Sequence, residues 1–429
     1  MRLSIVLIAT GLVACSNDVD PRVIAGGGVS DGEIDGEINV AVIDQSTDNV
    51  IPGATVDVGG TQKTTDTKGF ATFSDVEGAQ TVIVKMSGYR SAVWVDVNGA
   101  NVTIGLQPNS STTPPQATLS GTITGWDAIT VPQGHAKAAF VITSQTTDLG
   151  DPDNDVPTGA GNVCIAGTEC NWTLNSRTGS VTVIAVLIDR DLHGTLTNPD
   201  DDTNKIIGWA YKTGVTVETG VNQSGLVLSQ VEAGNLQTVT VDLGTPPPSL
   251  TERLTLVGIE LSKDEVIQMP LFIEATDATS ILAPKPGTFG GTASYRLTAI
   301  AQSTSGEMGA QSAVIRTGLA STALAAGTWL LPPTSVMATR SSASFEPVAG
   351  ARAHSANWRD GAGVELLEIT SFNVKIKQFD VPALVALPTS GTLTARVNAI
   401  GADLDPNDFS LDDDSDQIWG FAAEPASIP

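Results

Sequence analysis

The sequence predicts an all-β protein made of tandem β-sandwich domains. Segments in which Val, Ile, Leu or Thr alternates with other residues recur along the chain, for example at 38–42, 181–188 and 393–400. Gly and Pro, 43 and 23 of the 429 residues, separate these segments as turn residues do. Charged residues are only 16%, and clusters of helix-favouring Glu, Lys, Leu and Ala are scarce. A chain of this length suffices for about three domains.

The N-terminus has the pattern of an export signal. Met1 and Arg2 give a positive start, and an apolar run too short to span a membrane follows. The run ends in Leu-Val-Ala-Cys, which resembles a bacterial lipobox, so residues 1–14 are interpreted as a lipoprotein signal peptide and Cys15 as the lipidated first residue of the mature protein. The alternative is an ordinary signal peptide with an incidental cysteine. No aspartate sits directly after Cys15, which in Gram-negative sorting implies the outer membrane.

Residues 15–35 are rich in Gly and Asp and lack periodicity, which is typical of a flexible tether. The next segment alternates as strands do and contains a tight turn, in which Asp66 is expected to accept amide hydrogen bonds and Gly69 to close the hairpin. Phe70 and Phe73 leave this turn on opposite faces, so one of them is expected in the core. The order of these features over 36–107 resembles the carboxypeptidase regulatory-like (transthyretin-like) domain, which implies a seven-stranded β-sandwich.

Two further units are predicted beyond a linker at 108–116, which is rich in Pro, Ser and Thr. The first is a β-sandwich over 117–244 with a central strand at 181–188. The stretch GTPPPS at 244–249 is interpreted as the next boundary, and 250–429 as a C-terminal β-rich region of one or two domains. The units show no convincing sequence repeat.

The three cysteines and the charge restrict the function. With Cys15 taken by lipid, Cys164 and Cys170 form a close pair in an exported chain, for which a disulfide is the default interpretation. Their spacing does not fit a redox Cys-x-x-Cys motif, and no nearby His or Cys pair completes a zinc site. The net charge of −25 would repel phosphate backbones, so nucleic-acid partners are not expected.

The best candidate for a metal site begins at Asp189. Asp189, Asp191, a glycine at the sixth position and Asp200 at the twelfth match an EF-type calcium loop, because the glycine turn lets alternate carboxylates point inward. His193 at the fifth position and the short Asp200 at the last one depart from that pattern. The alternative is a solvated acidic hairpin. The aspartate clusters at 148–155 and 403–416 are weaker calcium candidates.

No catalytic residues are predicted. The chain lacks His-Glu-x-x-His, P-loop and Rossmann fingerprints and has only three histidines. We therefore expect a non-enzymatic, lipid-anchored envelope protein for adhesion, scaffolding or ligand capture, with an envelope protein or a glycan as partner. The alternative is a carbohydrate-binding accessory lipoprotein of a glycan-uptake system, and a secreted hydrolase is a remote third. The seven tryptophans could stack on sugars, although most tryptophans in sandwiches fill cores.

Overall fold

The structure, a computed structural model, is almost entirely β-strand in the residues that it describes. Two short 3-10 turns, Ala233–Asn235 and Pro286–Thr288, interrupt the strands of this part. The all-β, multi-sandwich fold class is confirmed. In the described part no helix is long and apolar enough to cross a membrane. The described residues are 34–44, 49–109, 115–145, 163–165, 167–193, 203–262, 265–270, 279–290, 292–305, 309–385, 387–403 and 418–428, with 163–165 and 268–270 described by their backbone alone.

The first sandwich contains the turn predicted from the sequence. The Asp66 carboxylate accepts hydrogen bonds from the amides of Lys68 and Phe70, both at 2.9 Å, and Gly69 has φ +82°. Phe73 enters the core and Phe70 lies nearer solvent. The strands are β1 (Asp35–Asp44), β2 (Thr55–Val58), β3 (Thr61–Thr64), β4 (Phe70–Glu77), β5 (Gln80–Lys85), β6 (Ser91–Val97) and β7 (Asn101–Leu106).

The second sandwich is organised around one long buried strand. Its strands are β8 (Gln116–Ile123), β9 (His135–Thr143), β10 (Val163–Ile165), β11 (Asn171–Arg177), β12 (Gly179–Asp191), β13 (Thr203–Val217) and β14 (Gln223–Gln230). The central strand predicted at 181–188 is β12, which pairs with both β9 and β13 and is buried along that whole stretch. The prediction of a central strand is confirmed.

Two more sandwiches follow. The third has β15 (Leu236–Asp242), β16 (Glu252–Ser262), β17 (Glu265–Pro270), β18 (Ser280–Pro284), β19 (Ser294–Gln302), β20 (Gln311–Leu319) and β21 (Ala323–Ala325). The fourth has β22 (Thr334–Ala338), β23 (Ser342–Glu346), β24 (Ala353–Asp360), β25 (Glu365–Ser371), β26 (Gln378–Asp380), β27 (Leu393–Ala402) and β28 (Ile418–Ile428).

The same strand order recurs in the sandwiches. In each of the first three, the third, second, fifth and sixth strands pair in that order, and so do the fourth, first and seventh strands. In the second sandwich, pairing of β13 with β14 joins the two sets into one seven-stranded sheet. The first strand pairs antiparallel with the fourth and parallel with the seventh in each case. The fourth sandwich differs only at one edge, where β22 precedes β23 and runs antiparallel to it. The chain thus repeats one topology, although its sequence shows no repeat.

The boundary expected at 244–249 lies inside the third sandwich. β15 was expected to close the second unit, but it pairs with β18 and β21 of the third. The Pro-rich stretch after it connects β15 to β16 within one domain. The region 250–429 therefore contains most of the third sandwich and all of the fourth. The 15–35 tether lies almost wholly outside the described residues, as do the signal peptide and most of the 108–116 linker.

Neighbouring sandwiches are joined by strand pairing. β6 pairs in parallel with β25, and β28 pairs with β20, so one twelve-stranded sheet runs through the first, fourth and third sandwiches. The second sandwich joins the third through a bridge in which Gln145 and Val266 exchange hydrogen bonds of 2.8 and 2.9 Å. The spatial order is therefore first, fourth, third and second, which differs from the order along the chain.

Two hydrophobic cores cross between sandwiches. Ile184 and Trp209 of the second sandwich share a core cluster with Leu297 of the third. Val93 of the first sandwich shares a cluster with Trp358 of the fourth. Apolar burial is the main favourable contribution to stability, so the four sandwiches support one another instead of folding as separate beads.

Candidate functional site

The two described carboxylates of the predicted calcium loop lie at the end of β12. Asp189 and Asp191 still belong to the strand, and they face the same side because side chains two residues apart on a strand do so. β9 lies beside them, with His135 directly opposite Asp191 in the register. The two carboxylates therefore lie on one side of the strand, next to β9.

His135 lies between the two carboxylates. Its Nδ1 is 2.8 Å from Asp189 Oδ1, and its Nε2 is 3.6 Å from Asp191 Oδ2. Asp191 Oδ1 also accepts a hydrogen bond of 2.9 Å from the backbone amide of His193, which has φ +46°. This hydrogen bond is the main cause that lowers the pKa of Asp191, and the two histidines add smaller effects in the same direction. The sequence did not indicate the His135 contact.

Calcium binding at this end of the sandwich stays a prediction. Among the described side chains, no three His, Cys, Asp or Glu residues are arranged to hold a metal ion. Asp200, the third predicted ligand, lies outside the described residues, as do the cluster at 148–155 and all of the C-terminal cluster except Asp403. A calcium ion here would have to compete with His135 for Asp189.

Calcium is expected to raise the melting temperature of the protein relative to EDTA. Binding only to the folded state at a hundredfold excess over Kd stabilises by about 2.7 kcal/mol. The full chain is the appropriate sample, because a fragment 116–245 would expose the core shared with the third sandwich. Asp189→Ala should abolish the shift and His135→Ala should keep it, while Asp127→Ala, at an exposed aspartate elsewhere, serves as the control. Equal melting of the wild type in both buffers would exclude calcium.

Of the two cysteines in the predicted disulfide, the structure describes the side chain of only one. Cys170 is 1% exposed and is a disulfide-bonded cysteine. The backbone of Cys164 belongs to β10, but its side chain lies outside the described residues. The pairing of Cys164 with Cys170 therefore stays a prediction, as does lipidation of Cys15, which also lies outside them.

The tryptophans mostly fill the cores. Five are at most 7% exposed: Trp126, Trp172, Trp209, Trp329 and Trp358. Trp94 and Trp419 are half-buried. Trp94 lies 5.7 Å from Phe372 between ring centroids, and the Arg316 guanidinium lies 5.4 Å from the ring of Trp419. Of the seven, only these two retain appreciable surface for a ligand.

A second candidate site lies on the fourth sandwich, on the side of its larger sheet that points away from the core. In the middle of β24, β25 and β27 the residues of the core cluster alternate with residues that project to the other side. We call this side the open face. Most of its side chains are polar, namely Ser355, Asn357, Arg359, Glu368, Thr370, Thr394, Arg396 and Asn398.

Hydrogen bonds order the side chains of the open face. Asn357 Nδ2 and Arg359 Nη2 donate to Glu365 Oε2 over 3.1 and 3.2 Å. Arg90 of the first sandwich lies 3.6 Å from the other oxygen of Glu365. On the other flank, Arg396 donates to Gln311 of the third sandwich at 2.6 Å. Residues of three sandwiches thus meet on this face.

Ser355 and Glu368 occupy the centre of the open face. Ser355 is buried and its hydroxyl accepts a hydrogen bond of 3.0 Å from Asn398 Nδ2. Glu368 keeps exposed surface, yet desolvation by the surrounding protein raises the pKa of its carboxyl. Repulsion from the nearby Glu365 raises this pKa further. The hydrogen bond with Ser355 and the charges of Arg90 and Arg359 oppose the rise. The centre can therefore both donate and accept hydrogen bonds.

Buried polar atoms of the open face that lack a hydrogen-bond partner among the described residues include Oδ1 of Asn357 and Nε of Arg359. Asn357 is only 7% exposed, and a buried polar atom without a partner costs about 1–3 kcal/mol. The sequence does not indicate this site, because its members are far apart in the chain and form no motif. The one available signal was the run of polar residues that alternate with Ala, Trp and Val in 353–360 and 393–400.

Comparisons with known proteins give no family. No family model matches the chain, and no curated protein matches it. Three similar solved structures are the Bacillus anthracis TIE protein, the minor pilin GBS52 of Streptococcus agalactiae, and a tetra-tandem repeat in the extending region of a large adhesion protein.

All three similarities are weak. The TIE protein is 12% identical with a TM-score of 0.15, over 62% of this chain and 44% of its own, so this chain spans less than half of it. The pilin is 11% identical with a TM-score of 0.15, over 46% of this chain and 98% of its own. The repeat protein is 13% identical with a TM-score of 0.14, over 92% and 99%. Scores of this size carry no functional argument.

Proposed function

We propose that this chain is a non-enzymatic lipoprotein of the outer membrane that captures a ligand or scaffolds partners at the envelope. The observation that carries the proposal is the twelve-stranded sheet, which joins three sandwiches into one body. A binding face gains from such a frame, because side chains held on strands lose little freedom when a ligand binds. The lipobox ending at Cys15 supports the location.

The arrangement of the sandwiches favours a role in ligand capture over a role as an elongated stalk. A stalk of beads would place each sandwich next to its neighbours in sequence, whereas here the first pairs with the fourth. Shared cores and continuous strands hold the open face in a fixed orientation. The net charge of −25 keeps such a body soluble and away from anionic lipid head groups. The acyl chains at Cys15 would then be the membrane attachment.

Cys15→Ser is expected to move the protein from the membrane fraction to the soluble fraction. Each buried methylene of an acyl chain contributes about 0.8 kcal/mol, so two or more chains hold a protein on a bilayer and their loss releases it. Fractionation after a salt wash, with labelling by a fatty-acid analogue, measures both attachment and acylation. Ser16→Ala, which keeps the cysteine, is the matched control. A Cys15→Ser protein that still sediments with washed membranes would contradict the anchor.

The second candidate is a carbohydrate-binding accessory lipoprotein of a glycan-uptake system. The open face favours it, because hydrogen-bonding side chains lie side by side there and those of Arg359, Glu368 and Thr370 keep exposed surface. The non-enzymatic character is tested separately with chromogenic glycosides and esters. Turnover that disappears in a Glu368→Gln variant would overturn it.

A further inference from the structure

The open face carries a row of hydrogen-bonding groups between two aromatic rings, and we propose that it binds a neutral oligosaccharide. The inference rests on the capture function proposed above and names its site and ligand class. Its first support is Asn357, whose buried Oδ1 needs a donor, and Arg359, whose buried Nε–H needs an acceptor. A sugar hydroxyl donates and accepts at one atom, so adjacent hydroxyls satisfy both groups at once.

The aromatic rings stand at the two sides of the polar row. Trp94 of β6 is in register with Thr370, and Phe421 of β28 is in register with Ile400, so both rings lie on the open face. Phe421 is half-buried and keeps accessible surface, whereas Trp94, also half-buried, packs partly against the core of the first sandwich and offers only its remaining surface. Aromatic rings offer the apolar surface on which sugar rings stack, while their neighbours bind the hydroxyls.

The width of the face suits a chain of several sugar rings. β6 and β28 are separated by β25, β24 and β27 in the sheet, which gives four strand spacings. At about 4.8 Å each, the two aromatic strands lie about 19 Å apart. Between them the polar side chains Thr370, Ser355 and Asn398 follow one another in register on successive strands.

The charges of the site favour a neutral ligand. Glu365 is already bound by Asn357, Arg359 and Arg90, which leaves it little capacity for a cation. A polyanion would be attracted by the local arginines but repelled by a chain of net charge −25. A neutral polar ligand does not need a free carboxylate and is not repelled by the net charge of the chain. Its affinity would come from hydrogen bonds and ring stacking.

The test uses the full chain with Cys15→Ser as a soluble sample and an array of neutral and uronate-containing tri- to hexasaccharides. Hits are followed by calorimetry. We expect a neutral oligosaccharide to bind, Thr370→Arg to abolish binding by placing a large charged side chain between Trp94 and the centre of the face, and Arg359→Gln to weaken it at least tenfold. The control Lys377→Gln removes an exposed charge whose partner, Glu346, belongs to the other sheet of the same sandwich. It should bind like the parent.

Four results would overturn the inference: no bound glycan, preference for uronates, binding that survives Thr370→Arg, or equal loss in Lys377→Gln. Melting temperatures of all variants are measured alongside, so that a misfolded variant is recognised. Because the sample lacks the anchor, glycan binding is measured independently of membrane attachment. Failure of the array with intact fractionation would reject the glycan alone, and the reverse result would reject the anchor alone.

Discussion

Trp209→Ala is expected to destabilise the second and third sandwiches together. Trp209 is 2% exposed in the core that these sandwiches share, and its Nε1 donates a hydrogen bond of 2.7 Å to the carbonyl of Leu282 in β18. Truncation of a buried tryptophan to alanine costs about 3–5 kcal/mol. Loss of the donor leaves the Leu282 carbonyl unpaired, which adds about 1 kcal/mol or more.

Hydrogen exchange read strand by strand measures where stability is lost. In Trp209→Ala, amides of β18 and β15 should exchange faster together with those of β12 and β13, because all of them border one core. Trp172→Ala is the matched control, since Trp172 is equally buried but belongs to the core confined to the second sandwich. Its effect should stay within β8 to β14. Unchanged protection of β18 in Trp209→Ala would show that the shared core does not couple the sandwiches.

The fold class could be predicted because it depends on local patterns. Alternation of apolar residues indicates strands wherever they pair, and Asp66 and Gly69 form a turn through contacts within a few residues. Local patterns do not show which strand pairs with which. The alternation in β15 suits the last strand of one sandwich as well as the first strand of the next, and only pairing with β18 and β21 decides. The domain boundary was misplaced for this reason.

The repeated topology could not be predicted from the sequence for a related reason. A seven-stranded sandwich requires alternation and turns at suitable spacings, and many sequences supply them without resembling one another. Pairing of β6 with β25 brings together residues from opposite ends of the chain. No local pattern encodes such a contact.

The candidate sites likewise combine features that the sequence shows with contacts that only strand pairing creates. Asp189 and Asp191 share a face because they are two residues apart on one strand, which the sequence shows. Their contact with His135, 54 residues away, follows only from the register of β9. The open face depends entirely on such registers, because Arg90, Glu365 and Gln311 belong to three different sandwiches. Sequence patterns therefore predicted strands and faces, whereas the sites require the sheet.

Acidification is expected to destabilise the fourth sandwich through His354. The side chain is 0% exposed, and burial lowers its pKa to about 4 from the usual 6.5. Its Nε2 accepts a hydrogen bond of 3.1 Å from the amide of Val348, so the proton of the neutral ring is on Nδ1, which has no partner among the described residues. Protonation of Nε2 would place its N–H group against the amide N–H of Val348, so that two donors would face each other.

The direction of the pH effect follows from these two pKa values. Between pH 6.5 and about 4 the unfolded chain binds a proton at His354 and the folded chain does not, so the free energy of unfolding falls as the pH falls. At 1.36 kcal/mol for each pH unit, the full loss is about 3 kcal/mol. His354→Gln, whose carbonyl can accept from Val348, should remove this part of the loss. His193→Gln, at a half-exposed histidine, should leave it.

Denaturant unfolding between pH 7 and 4 distinguishes these outcomes when each variant is compared with the parent. The carboxylates of the chain titrate in the same range, but they are common to all three proteins, so their contribution cancels in the difference. The parent minus His354→Gln difference should be near constant above pH 6.5 and grow steadily below it, because only there does the unfolded histidine bind its proton. A difference that stays flat down to pH 4 would mean that the folded protein admits a charged His354, and with it water or a carboxylate close to Nδ1.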